Sequence, residues 1–284
     1  MQKASKTKAD EVFLDLEDGV APLEKEASRP RIVAALRELD WTGKVRVVRV
    51  NSVDTKYFYR DLIEVVEGAG NFIDAIMMPK VERHEDVYMV DKLLTQLEAN
   101  LGIDHKIGIE AQIESAGGMA RSEEIAFASD RLESLIFGPG DYAASKGAAM
   151  LTIGAHDFAY PGHVWHYALG RMVDAAKAAG IQAIDGPYAK IPDLKGFEES
   201  AQMARLIGCD GKWAIHPTQI EPCNRIFAPT KEELVKAQKL IDEFERATKV
   251  ERRGAIAVDG EMVDAATIRM ARNVIEKAKL AKMI

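Results

Sequence analysis

The sequence predicts a parallel α/β barrel of the TIM (β/α)8 type, and three observations predict it. Short apolar, β-branched runs alternate with helix-period segments at roughly thirty-residue intervals along most of the chain. Carboxylates stand just beyond several of those runs, where the strand ends of such a barrel converge on one catalytic face. No GxGxxG turn follows the first run, which argues against an open dinucleotide-binding sheet.

Taken in order, the strand-like runs are residues 12–16, 45–50, 72–78, 107–113, 132–137, 181–185 and 212–216. Helical periodicity fills 24–39, 55–69, 83–99, 117–128, 163–179 and 194–207. Gly70, Gly180 and Gly208 close three of these helices and suit a left-handed C-cap. These are seven strands where a closed barrel of this class has eight. The opening KASKTKAD reads as the tail of a helix, so the first strand is expected to lie outside this numbering or to be missing from the barrel. A catalytic barrel domain is therefore expected over 1–229. From 230 the pattern changes to a long amphipathic helix with Leu234, Ala237, Leu240, Ile241 and Phe244 on one face. A short strand-and-turn element and a helix at about 265–282 follow. This 230–284 segment is an appendage, expected to cap its own barrel mouth or to reach over a neighbouring subunit.

Composition narrows the functional class. The 284 residues are 47% hydrophobic, enough for one barrel of about 250 residues. A formal charge of −7 argues against nucleic acid and leaves room for an anionic small molecule held by a local basic cluster. Cys209 and Cys223 fit no zinc or CxxC spacing and read as reduced bystanders. No signal peptide and no apolar run of spanning length is apparent, so a cytoplasmic protein is expected.

The residues that carry chemistry cluster at the ends of the runs. Glu114 ends IGIEAQIES, with Glu110 and Gln112 on its side of the strand, and reads as a metal ligand or a helix-initiating acid. Asp141, in the tight FGPGDYAAS turn, reads as a ligand or as the N-cap of a helix beginning near Tyr142. Two such carboxylates at successive strand ends suit a hard cation such as Mg²⁺, with Mn²⁺ as the alternative. Of the adjacent Glu17 and Asp18 only one can face the site; Glu17 is favoured, as acceptor for water on the metal, and Asp18 is assigned to the loop. Arg49, inside the strand VRVVRV, is suited to a substrate carboxylate or enolate oxygen, or to a structural ion pair with a barrel glutamate. Lys80 lies at the mouth or in a solvated loop, and Asp185, in IDGPY, lies at the site or in an ordinary turn. His216 reads as a core histidine, while His163 and His166 find no third residue for zinc.

The stretches FLDLEDGVAP, VRVN, IMMPK, IESAGG, FGPGDYAAS, QAIDGPY, DGKWAIHPTQI and GAIAVDGEMVD run in one order over nearly the whole chain. Through them the chain resembles the HpcH/HpaI aldolase and citrate-lyase β-subunit superfamily, and within it the malyl-CoA and β-methylmalyl-CoA lyases. It departs from that pattern in lacking the opening strand. The resemblance implies Glu114 and Asp141 as Mg²⁺ ligands and Arg49 as the residue on the substrate carboxyl or thioester oxygen. It places Lys3 near the CoA phosphates, and Gly140 with the backbone of Ala214 and Ile215 along the thioester path. Asp259 matches a catalytic aspartate delivered by a lid from an adjoining subunit in a homotrimer or homohexamer. The implied reaction is reversible cleavage of malyl-CoA to acetyl-CoA and glyoxylate, with β-methylmalyl-CoA giving propionyl-CoA. Citramalyl-CoA cleavage, malyl-CoA thioester hydrolysis and non-catalytic CoA binding are the competing functions.

Overall fold

The computed structural model describes residues 1–148, 152–153, 164–252 and 254–284, apart from the side chains of residues 250 and 251. His156 and His163 lie outside the described residues. The chain forms two compact units, Met1–Cys223 and Asn224–Ile284.

The first unit is a curled parallel sheet with helices outside it. Its strands are β1 (Glu11–Asp15), β2 (Val45–Arg49), β3 (Ala75–Met78), β4 (Gly108–Ile113), β5 (Leu132–Phe137), β6 (Gln182–Asp185) and β7 (Gly211–Lys212). They are hydrogen-bonded in the order β1-β2-β3-β4-β5-β6-β7, every pair parallel. The seven-strand count expected from the apolar runs is thus observed. The edges β1 and β7 do not pair; instead Phe13 and Trp213, the residue after β7, bring their rings to 4.6 Å. Both faces of the sheet are buried, as in parallel sheets generally. Val48, Ile76, Ile109, Ala111, Leu135 and Phe137 lie fully buried in the strands. Their neighbours in alternation, Val47, Ala75, Met77 and Ile136, form a separate cluster with Phe13, Ile184 and Trp213, which is the core inside the curl.

Three details depart from the sequence reading. β7 is only two residues long, and the chain leaves the sheet at Trp213, whose N–H donates to the Asp185 carbonyl. Gly180 and Gly208 are left-handed C-caps, but Gly70 has φ −52°. Gly70 is needed for space instead: a Cβ there would lie 2.4 Å from Ile103 Cδ1. His216 is exposed and caps the short 217–219 turn, its Nδ1 accepting from the Thr218 N–H at 3.3 Å.

Inside the curl, the carboxyl groups of Glu11 of β1 and Glu110 of β4 interact directly. Ser134 donates to Glu110 Oε1 at 2.9 Å, and Oε2 has no further donor. A proton held between the two carboxyls would satisfy that oxygen. Burial pushes Glu11 up to about 7, with Glu133 adding like charge, and burial with the Glu11 charge drives Glu110 well above its usual range. A carboxyl raised on folding keeps its proton in the native state where the unfolded chain has lost it. Stability therefore falls as pH rises from about 4.5 to 7, by roughly 3 kcal/mol for a shift of this size. Glu110→Gln supplies the bridging hydrogen at every pH. The variant's thermal midpoint is expected to lose this part of the decline between pH 5 and 8; an unchanged slope would show that no proton is shared.

The second unit has its own core. The helix Lys231–Arg246 packs with the hairpin β8 (Ala255–Val258) and β9 (Glu261–Asp264) and with the helix Ala265–Leu280, burying Ala237, Leu240, Val258, Val263, Ile268 and Ala271. Thr230 and Asp264 cap the two helices in capping boxes. The Asp259–Gly260 turn has φ of +52° and +83°, the signature of a type I′ hairpin. Among the described residues no helix is long and apolar enough to cross a membrane.

Candidate active site

Alternation along the first strand sends Glu11, Phe13 and Asp15 to one face, and Asp15 meets Arg49 of β2, its register partner. The Arg49 fork is closed by Asp15, with Nε and Nη2 donating at 2.8 and 2.7 Å, and Nη1 reaches Glu17 at 3.2 Å. Its guanidinium also faces the rings of Phe13 and Trp213 at 5.4 and 5.5 Å. The structural ion pair weighed in the sequence is therefore present, and Asp15 is its main partner. Asp15 accepts as well from the backbone N–H groups of Glu17 and Gly19, both at about 2.8–2.9 Å. Burial opposes its charge, yet the Arg49 bonds hold its carboxyl below the usual range.

Glu17 is buried while Asp18 is exposed. The second Glu17 oxygen receives Lys80 Nζ at 2.5 Å, and Lys80 Nζ stands 3.6 Å from Asp18. Lys80, two residues beyond β3, has φ +54°, and its backbone N–H donates to Glu114 Oε1 at 2.8 Å. Gln112, two residues earlier on the same face of β4, donates from Nε2 to Glu114 Oε2 at 2.9 Å. Gly138 leaves room for that carboxylate: a Cβ on it would lie 2.4 Å from Glu114 Oε2. Asp141 follows in the first turn of the helix Pro139–Ser145, whose N-cap is Gly138, so the capping role weighed for Asp141 is not the one it has.

Burial and the neighbouring Asp141 charge push the Glu114 carboxyl up to about 8. Two carboxylates that repel each other in a desolvated pocket suit a divalent cation. Beside them, Gln112 Oε1 is buried with no hydrogen-bond partner, an acceptor suited to a coordinated water. Among the described residues no three His, Cys, Asp or Glu side chains form a metal-holding group. Two carboxylates are a donor set that a divalent cation accepts only where water or substrate oxygens would supply the rest.

A buried polar network missed by the sequence reading supports this face. Lys25 Nζ donates to the Leu16 and Glu17 carbonyls at 3.0 and 2.9 Å and to Asn51 Oδ1 at 2.7 Å. Asn51 passes the chain of bonds to Asp61, which pairs with Arg29 at 2.8 Å. The signal was present: Lys25, Arg29, Ile32 and Leu36 form one buried helical stripe, and two cations on an apolar stripe need internal partners.

The remaining expected residues lie elsewhere. Lys3 is exposed in the short helix Gln2–Ser5. Gly140 sits in the Asp141 turn, with Ile153 2.8 Å from where its Cβ would be. The Ile215 N–H already donates to Gln219 Oε1 at 2.9 Å, so that bond must open before it serves a ligand; Ala214 precedes it, half-buried. Asp185 is buried and paired with Lys212 at 2.5 Å. Asp259 belongs to the second unit, where both its oxygens receive Lys239 Nζ at 2.7 Å.

A curled parallel sheet with acids gathered beyond its strand ends is the arrangement of an α/β-barrel-type enzyme. The chain belongs to the HpcH/HpaI aldolase/citrate lyase family, which it matches over residues 1–217. It is 40% identical to the L-malyl-CoA/beta-methylmalyl-CoA lyase of Rhodobacter capsulatus, over 99% of this chain and 91% of that one. The malyl-CoA/beta-methylmalyl-CoA/citramalyl-CoA lyase of Chloroflexus aurantiacus is 34% identical, over 94% and 80% of the two chains. Among solved structures, CitE of Mycobacterium tuberculosis, in complex with magnesium, acetoacetate and coenzyme A, superposes with a TM-score of 0.77 at 29% identity, covering 98% of this chain and 91% of that one.

Proposed function

We propose that the protein is a Mg²⁺-dependent carbon–carbon lyase that cleaves malyl-CoA to acetyl-CoA and glyoxylate, reversibly, and β-methylmalyl-CoA to propionyl-CoA and glyoxylate. The observation that carries this reading is the pair Glu114 and Asp141, repelling each other beyond β4 and β5 beside an unpartnered Gln112 oxygen. These two carboxylates would hold the ion, with Mn²⁺ as a substitute. When bound, the ion supplies Lewis-acid polarisation of the substrate's hydroxyl and carboxylate oxygens.

The chain's own groups then divide the work. Lys80 and Gln112 fix the two Glu114 oxygens, so that the ligand is oriented before substrate arrives. Glu17 is itself held by Lys80 and Arg49, and would accept from a water brought in with the ion. Loss of the hydroxyl proton to the water held by Glu17 would form the glyoxylate carbonyl as the carbon–carbon bond breaks, with that bond's electron pair passing into the enolate of acetyl-CoA. Arg49, pinned by Asp15, presents positive charge to that enolate with little reorganisation on reaction. Asp259, delivered from the second unit of a neighbouring subunit in a cytoplasmic homotrimer or homohexamer, exchanges the proton at the acyl α-carbon. An added methyl group changes binding by only ~1–3 kcal/mol, so one pocket serves both acyl groups.

Malyl-CoA, β-methylmalyl-CoA and citramalyl-CoA should be compared with and without Mg²⁺, following both 2-oxo acid and free CoA thiol. The expected result is Mg²⁺-dependent glyoxylate from the first two with no excess thiol. Thiol with malate would instead identify a thioesterase, and pyruvate from citramalyl-CoA as the dominant product would shift the substrate. In Asp259→Asn, solvent proton exchange into acetyl-CoA should collapse while the ester still binds; retained exchange would reject this residue's role.

A further inference from the structure

Among the described residues beside the strand ends, Arg49, Lys25 and Lys212 each give two or more bonds to protein groups. The Arg49 fork is closed by Asp15 and Glu17, Lys25 is buried against two carbonyls and Asn51, and Lys212 is buried against Asp185 and the Gly186 carbonyl. Lys80 differs. Its ammonium stands among Glu17, Asp18 and the Asp141 charge, yet its side chain is 36% exposed. Glu17 takes one of its three N–H groups, and Asp18 stands 3.6 Å away.

The backbone adds an independent argument. At φ +54° Lys80 occupies the left-handed region, which glycine enters without strain and a Cβ-bearing residue does not. The peptide N–H that grips Glu114 needs this geometry but no side chain. A lysine tolerated in a strained conformation beside the candidate ligands indicates that its ammonium is needed there. Burial works against the charge, but the surrounding carboxylates hold the ammonium well above its ordinary range.

We propose that Lys80 binds the carboxylate of the short 2-oxo acid, and of the corresponding acyl chain, and so selects anionic acyl groups at this site. The inference rests on the lyase reading above. An incoming carboxylate takes the two N–H groups that Glu17 leaves free. No covalent change is involved.

The test separates the two substrates of the condensation direction. In Lys80→Met the KM for glyoxylate should rise at least tenfold while the KM for acetyl-CoA stays within twofold, with Lys80→Arg recovering part of the loss. A merely structural role would move both. Independently of turnover, calorimetric titration with oxalate, with and without Mg²⁺, should show at least tenfold weaker binding to Lys80→Met. If Lys80→Met does not fold, Lys80→Gly, whose backbone suits this φ, carries the same comparison. Oxalate affinity and glyoxylate KM both within threefold of the parent would overturn the proposal. A parent protein that binds oxalate through Lys80 but condenses nothing would instead overturn the lyase reading and leave the anion site standing.

Discussion

Glu114→Gln and Asp141→Asn are each expected to lower kcat at least about a hundredfold, and to weaken Mg²⁺ binding by a similar or larger factor. Glutamine preserves the shape of Glu114, and its amide oxygen still accepts from the Lys80 N–H, so the fold should persist. What disappears is charge at a site the protein has desolvated to receive it. Relief from Asp141 repulsion should even stabilise the metal-free variant, because the parent carries an acid pushed up to about 8 in that pocket. The sign with pH follows. Protons and the cation compete for Glu114, so Mg²⁺ affinity should rise with pH up to about 8 and then level off in the parent. In Glu114→Gln this dependence should be absent. Near-parental kcat in either variant would remove that residue from the metal site.

Lys25→Met should have the largest effect on stability, about 3–5 kcal/mol by urea unfolding. Methionine matches the length of the stem, but it leaves the Leu16 and Glu17 carbonyls and Asn51 Oδ1 without their donor in a buried place. Asn51 is then also less well held against Asp61, so the loss spreads to the Arg29 pair. A change below about 1 kcal/mol would mean that water replaces the ammonium and that the network carries little stability.

The fold was legible because strands and helices in a parallel barrel obey separate periodicities, and this chain keeps them apart. The runs 132–137 and 194–207 appear in the structure as strand Leu132–Phe137 and helix Leu194–Ile207 at the same residues. Where the reading failed, tertiary contacts had overridden local pattern. Apolar character alone does not mark where β7 leaves the sheet, and Gly70 is required by Ile103, more than thirty residues away. At the site, the acids were visible because carboxylates after apolar runs are conspicuous. Their partners were not. Asp15 was hidden by the more conspicuous Glu17–Asp18 pair, although strict alternation with Phe13 places it opposite Arg49. Lys80 adopts positive φ without being glycine, and no local rule predicts that conformation. Asp259 shows the reverse problem. Asp-Gly is a sufficient turn for the hairpin it joins, so local chemistry accounts for the residue whether or not it is catalytic.

The claim on which the rest depends is that one divalent cation is shared by Glu114 and Asp141. Titration of Mn²⁺ into the parent, Glu114→Gln and Asp141→Asn proteins, with free ion followed by electron paramagnetic resonance, tests it without requiring turnover. The account predicts one Mg²⁺-competable site per chain in the parent and its loss in both variants. Parental Mn²⁺ binding in either variant would contradict it.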